Sequence, residues 1–189
     1  SRRGKMMKVI IFMSCADSVD FHYELLKDPK ADAPEGAAKT AEVLSKTVGK
    51  AAYITTPASP EVILHRMHGS LAQNVRTATI KSFSACKQPS VLITTDVSSR
   101  GLDIPSVDLV IEYDPAFSFA DHIHRVGRTA RAGRAGDATL FLLPGTEEGY
   151  IELLKTSTPI WLQIGKTNFA TVFEKNHLLN NAYEKNLEN

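Results

Sequence analysis

Cysteine is scarce in this chain. Cys15 and Cys86 are its only two, far apart and without metal-type spacing. They exclude a disulfide framework and read as reduced thiols. No apolar run approaches the roughly 20 residues of a membrane helix, and no secretory signal opens the chain. The expectation is an intracellular protein with no membrane partner. An excess of positive charge is also missing: 22 Lys and Arg face 21 Asp and Glu, for a net charge of +1 and a pI of about 7.8. No bulk field draws anions, so any anion site must come from local placement. A Gly-x-x-x-x-Gly-Lys-Thr phosphate loop is absent too. Gly165-Lys166-Thr167 has Ile160 where the first glycine belongs and follows no convincing strand, so the match reads as chance. What is present is an apolar fraction of 43 %, enough for the core of one domain of ordinary size in 189 residues.

The apolar runs set the architecture. Val9 to Phe12, Val62 to Met67, Ser90 to Thr94, Leu109 to Tyr113 and Ala138 to Leu143 read as five strands, several apolar throughout, as strands buried on both faces are. Helices fall between them. Ser14 with Asp17 opens one whose stripe is Val19, Tyr23 and Leu26 and which stops before Pro29. Ser70 with Gln73 opens a second, with Leu71, Val75 and Ala78 on its buried side. Ser118 with Asp121 opens a third, and Glu147 to Lys155 forms a fourth. Strands alternating with helices mean an α/β fold around a parallel sheet. Ser1 to Gly4 reads as a linker remnant, so the chain reads as a piece of a longer one. The expected division is a remnant over 1–7, a domain over 8–158 and an extension over 159–189. The extension carries Trp161, Phe169, Phe173 and Leu178 at loosely helical intervals. Within the domain, about 28–60 reads as an insertion without chemistry of its own, holding at most a short helix over Ala37 to Val48.

In such a sheet, functional loops collect at the carboxyl ends of the strands. Three polar clusters follow strand ends here: His68-Gly69, Thr95 to Asp103, and Asp114 onward. The last leads into Arg125, Arg128, Arg131 and Arg134, one at every third position with small residues between them. At helical spacing these share a face. Guanidinium is always charged and presents a planar fork suited to phosphate oxygens. The alternative is a solvated basic face, but such faces mix Lys with Glu and carry fewer Gly and Ala. In the second cluster, Thr95 can donate to a phosphate and Asp103 can accept from ribose hydroxyls, or Asp103 can simply pair with Arg100 to pin the loop. His68-Gly69, with Gln73 and Arg76 on the next helix, offers a helix N-terminus to a second phosphate.

The ordered set resembles the second RecA-like domain of the DEAD-box RNA helicases. His68-Gly-Ser-Leu-Ala-Gln73-Asn-Val-Arg76 looks like their His-Gly…Gln-x-x-Arg element. Thr95-Asp-Val-Ser-Ser-Arg-Gly-Leu-Asp103 matches Thr-Asp-x-x-x-Arg-Gly-x-Asp. His124-Arg-Val-Gly-Arg-Thr-Ala-Arg131 matches His-Arg-x-Gly-Arg-x-x-Arg, with Ala130 where Gly is commoner and His122 in place of the usual Tyr. The likeness covers about residues 8 to 145. It implies a RecA-like parallel sheet flanked by helices on both faces and a role in ATP-dependent RNA helicase action. By that resemblance Arg128 and Arg131 face the γ-phosphate of ATP, with Arg131 nearest to an arginine finger. Gly101 and Asp103 touch the ribose, and His124 and Arg125 link to the partner domain. Ser14, Gly69, Gln73, Arg76, Thr95 and Arg100 hold RNA.

The family's first domain, with its phosphate loop and magnesium carboxylates, is not in these 189 residues. The resemblance therefore implies ATP and Mg²⁺ as cofactors, with the metal ligands on that N-terminal RecA-like domain, and no metal site here. RNA, that domain and pre-ribosomal particles are the implied partners. The insertion and the Thr-Ala-Arg variant look similar to the subgroup acting in large ribosomal subunit assembly, which implies the nucleus or nucleolus. Two other readings stay open: a non-catalytic RNA-binding or assembly module that keeps the fold, and a related DNA helicase. The latter tends to carry Gln where His124 stands.

Overall fold

Val9-Ile-Ile-Phe12 is apolar throughout because it has strands on both sides and side chains packed on both faces. In the computed structural model, which describes residues 7–31, 43–57, 59–98, 104–129 and 136–157, β1 (Lys8–Phe12) is central. The other strands are β2 (Val48–Lys50), β3 (Ile63–Met67), β4 (Ser90–Thr94), β5 (Leu109–Glu112) and β6 (Asp137–Leu140). They form one six-stranded sheet in the order β2-β3-β4-β1-β5-β6. β1 pairs in parallel with β4 (Ile10 opposite Leu92) and with β5 (Ile10 opposite Val110). β3 continues the parallel set beside β4, and β6 beside β5. The expected parallel α/β sheet is there, with one change: β2 runs antiparallel to β3 at the edge.

Alternation along each strand divides the core between two faces. Ile10, Phe12, Met67 and Leu92 face one side, where α2 (Gln73–Ala85) lays down Ile80 and Phe83. Leu64, Val91 and Ile93 face the other, where α1 (Ala16–Leu26) contributes Val19 and Tyr23. Each such side chain, fully removed from water, contributes about 1.5–3 kcal/mol. Two short helices complete the set, α3 (Phe119–Val126) and α4 (Gly149–Ser157). The chain divides into a compact unit up to Leu154 and a second one from Lys155. Of the second, only the end of α4 lies within the described residues, and the extension over 159–189 lies outside them.

Three details of the helices differ from the sequence reading. The cap of α1 is Cys15, not Ser14, and that of α2 is Ala72, with no side-chain bond at either. The buried stripe of α2 is Thr79, Ile80 and Phe83, while Val75 and Ala78 are only half-buried and Leu71 precedes the helix. The helix begins at Gln73, two residues later than the Ser70 cap implied. α4 likewise begins at Gly149 rather than Glu147.

The insertion is also more integral than expected. Val48 opens β2 instead of closing a helix, and Thr47 before it is fully buried. The Thr47 and Thr79 hydroxyls share a 2.8 Å hydrogen bond, and Arg66 N donates to Thr47 O. Lys50 O accepts from Asp28 N, and Leu26 O from Ala52 N. The stretch about 28–60 therefore supplies an edge strand locked to α1 and α2. Residues 32–42, where the first half of the expected short helix falls, lie outside the described residues.

Candidate functional site

Helix α3 begins where the sequence said it should. Ser118 Oγ accepts from Asp121 N (3.1 Å), and its hydroxyl donates to Asp121 Oδ2 (2.7 Å). The cap satisfies an end of the helix that would otherwise present bare N–H groups. It also fixes where the arginines fall. Arg125, in the last turn, is fully buried. Its Nε and Nη2 donate to the two carboxylate oxygens of Asp96 at 2.6 and 2.7 Å. Nη1 donates to Glu112 Oε2 (3.1 Å) and to Asp114 O (2.8 Å). The guanidinium lies 5.2 Å from the Phe12 ring centroid. Burial pulls its pKa down, but the bonds and charges of Asp96 and then Glu112 outweigh that and leave it above its ordinary value.

Within this domain Arg125 ties together the carboxyl ends of β4, β5 and β1. One expectation is corrected: Arg125 and Arg128 do not share a helical wall, because α3 ends at Val126 and the chain turns through Gly127 and Arg128. The half-buried Arg128 is held through its backbone. Its carbonyl accepts from Val107 N (3.0 Å), and the hydroxyl of the buried Thr129 donates to Val107 O (2.9 Å). Arg128 thus sits where the chain enters β5, at the opposite end of α3 from Ser118. His124 is exposed on α3.

His122, the substitution for Tyr, has a clear partner. Its buried ring nitrogen Nδ1 lies 2.7 Å from Glu112 Oε1, so one carboxylate serves both His122 and Arg125. The sequence reading missed Glu112 as a site residue. The available signal was a lone acid at the end of the apolar run Leu109-Val-Ile-Glu112: a carboxylate that is 99 % buried requires a cation or donor beside it.

The loops after β1, β3 and β4 meet in the same region. Ser14 N donates to Asp114 Oδ2 (2.7 Å). A Cβ on Gly69 would stand 3.1 Å from Val97 Cγ2, a tight contact that shows how closely the loop after β3 lies against the loop after β4. His68 is buried and bonded through Nε2 to Asp20 Oδ1 of α1 (3.1 Å), an oxygen that also accepts from Arg66 Nη1 (2.8 Å). Thr95 follows β4 directly and is half-buried. Gln73 is exposed at the start of α2. Arg76 one turn on is half-buried, and its buried Nε has no hydrogen-bond partner. Ser14, Gly69 and Thr95 are thereby drawn to the carboxyl ends of the strands. Arg128 lies at the other end of α3. Arg100, Gly101, Asp103, Arg131 and Arg134 lie outside the described residues, although Ile104 and Val107 just after Asp103 are buried in the core. Among the described residues, no group of three or more His, Cys, Asp or Glu is placed to hold a metal ion, and no helix is long and apolar enough to cross a membrane.

An open, mostly parallel sheet covered on both faces, with its strand-end loops joined by one buried arginine, defines a RecA-like α/β domain of the helicase type. The chain belongs to the helicase conserved C-terminal domain family, whose pattern it matches over residues 35–133. It is 82 % identical over 159 residues to the ATP-dependent RNA helicase DBP7 of Gibberella zeae, covering 84 % of this chain and 21 % of that protein. To the protein of the same name from Chaetomium globosum it is 64 % identical over 169 residues, covering 87 % and 21 %. The chain spans about a fifth of the length of these curated relatives. Among solved structures it is similar to S. cerevisiae Dbp5 bound to RNA and ADP BeF3, at 25 % identity and a TM-score of 0.51, covering 80 % of this chain and 31 % of that one. A hypothetical ATP-dependent RNA helicase from Sulfolobus tokodaii is 31 % identical with a TM-score of 0.51, covering 80 % and 34 %.

Proposed function

We propose that this chain is the C-terminal RecA-like half of an ATP-dependent RNA helicase of the DEAD-box class. In this reading it supplies an arginine finger and RNA-backbone contacts to a site completed by an N-terminal RecA-like domain. The observation that carries the proposal is the 82 % identity to a protein named as such a helicase, over a stretch that contains all three motifs in order. Arg128 and Arg131 would approach the γ-phosphate, Gly101 and Asp103 the ribose. Ser14, Gly69, Gln73, Arg76, Thr95 and Arg100 would hold RNA phosphates, and His124 would reach the other domain. Mg²⁺ would be held by carboxylates of the N-terminal domain.

Phosphoryl transfer depends on positioning and charge stabilisation, and a finger that arrives on closure is worth roughly 10³–10⁵ in rate. Closure over ATP would couple nucleotide binding to gripping one RNA strand, parting base pairs locally and with little sequence preference. The insertion and the Thr129-Ala-Arg131 variant, similar to the subgroup acting in large ribosomal subunit assembly, support remodelling of pre-ribosomal RNA, which would place the whole protein in the nucleolus. The domain would span residues 8–158.

The test compares two preparations. The chain alone is expected to hydrolyse ATP no faster than background and to bind single-stranded RNA weakly. Each phosphate contact should add about −0.7 to the slope of log K against log salt. Joined to an N-terminal RecA-like domain of a DEAD-box RNA helicase, it should hydrolyse ATP in an RNA-stimulated manner. Mg²⁺-dependent turnover by the chain alone, or tight, salt-insensitive binding to one RNA sequence, would overturn the proposal.

A further inference from the structure

Four rings form a continuous row on the outside of the domain. Phe21 meets His22 at 5.3 Å between centroids, His22 meets Tyr113 at 4.9 Å, and Tyr113 meets Phe141 at 6.4 Å. Phe21 is 64 % exposed, Tyr113 45 % and Phe141 44 %, and Leu25, one turn beyond Phe21 on α1, is 57 % exposed. Single exposed apolar side chains are ordinary, but a linked row with an aliphatic extension marks a contact surface.

The charge around the row decides what it contacts. Exposed rings can stack nucleobases, yet a nucleic-acid strand also brings phosphates that need cations. Helix α1 carries Asp17, Asp20 and Glu24 and neither Lys nor Arg. Asp17 lies four residues before Phe21 and Glu24 three after, so both exposed carboxylates share the ring's side of the helix. Lys27, just after the helix, is turned over the Tyr23 ring, and Arg66 is committed to Asp20. At the other end Asp114 follows Tyr113. An apolar strip rimmed by carboxylates repels phosphate and complements the opposite charge.

We infer that this face docks a segment of a partner protein in which apolar side chains are interspersed with Lys or Arg. The rings and Leu25 form the desolvated centre, and Asp17 and Glu24 the polar rim. Because Asp114 accepts from Ser14 N, a partner seated there borders the loop after β1 and is placed to act on it. The inference stands apart from the helicase reading and needs no ATP for its test.

The complete chain is titrated, by fluorescence anisotropy, into a synthetic peptide carrying Leu on one helical face and Lys on the other. A peptide with Glu in place of Lys and a single-stranded RNA oligonucleotide serve as the other probes. The Lys peptide should bind about tenfold or more tighter than the Glu peptide. Phe21→Ser should weaken it about tenfold, and Asp17→Lys should narrow the gap between the peptides. Both side chains are exposed, and circular dichroism checks that both variants fold. Equal binding of the two peptides, or unchanged affinity in Phe21→Ser, overturns the inference. So does loss of RNA binding in place of peptide binding in that variant, which would make the face a nucleic-acid surface.

Discussion

Arg125 shows how much a single residue of the arginine series does inside the domain. A buried guanidinium is tolerable only with its donors satisfied, and Asp96, Glu112 and the Asp114 carbonyl satisfy them. Removing it leaves the nearly inaccessible Glu112 beside His122 alone. Arg125→Ala should therefore lower the unfolding free energy by about 3–5 kcal/mol. Arg125→Lys should recover only part of that, because a point charge cannot span both oxygens of Asp96. Urea unfolding of the three proteins checks this. An Arg125→Ala midpoint equal to wild type would contradict this structural role. Neutrality of a different kind governs His65, also fully buried: burial first, and Lys8 second, push its pKa down to about 4. It therefore stays uncharged within the core at neutral pH.

At the scale of elements, β2 was the piece the sequence concealed. Three residues, Val48-Gly-Lys50, are too short for a period-2 pattern to register, and they sit in Pro- and Ala-rich surroundings that read as loop. The long apolar runs were legible because strands buried on both faces need no alternation, and Ser118 was legible because its cap serves the local backbone. The caps of α1 and α2 were misread for the converse reason. Ser14 and Ser70 have cap chemistry, but the loops that carry them make tertiary contacts instead, Ser14 N with Asp114 and Gly69 with Val97. The edge strand carries its own test. A Cβ on Gly49 would stand 3.0 Å from Tyr23 Oη and 3.2 Å from Lys27 Cδ and Cε; Lys27 can yield, but the fully buried Tyr23 cannot. Gly49→Val should cost about 1–3 kcal/mol by overpacking, read as a lower thermal midpoint. A variant as stable as wild type would mean that β2 stands off from α1.

For the whole molecule, the motif order alone indicated the fold and family, because strand-end loops in an α/β sheet converge whatever the intervening sequence. What it could not show was that the arginines divide their labour. Arg125 faces inward at the carboxyl ends, while Arg128 is fixed through its backbone beside Val107 at the far end of α3. Spacing by three suggests one helical face, and only the end of α3 at Val126 breaks it. Under the proposed function, Arg131, next in the series, would supply a planar fork to the transferring phosphoryl group once the second domain is present. A fork reaches two oxygens, whereas Lys offers no matched pair, and the effect falls on charge that develops in the transition state. The measurement is kcat at saturating ATP and RNA for the chain joined to an N-terminal RecA-like domain, with thermal melting of each variant alongside. Arg131→Lys and Arg131→Ala should each lose about 10³-fold or more in kcat with little change in melting temperature. Near wild-type kcat in Arg131→Lys, or unfolding in Arg131→Ala, would rule out the arginine-finger role and make this arginine a structural residue.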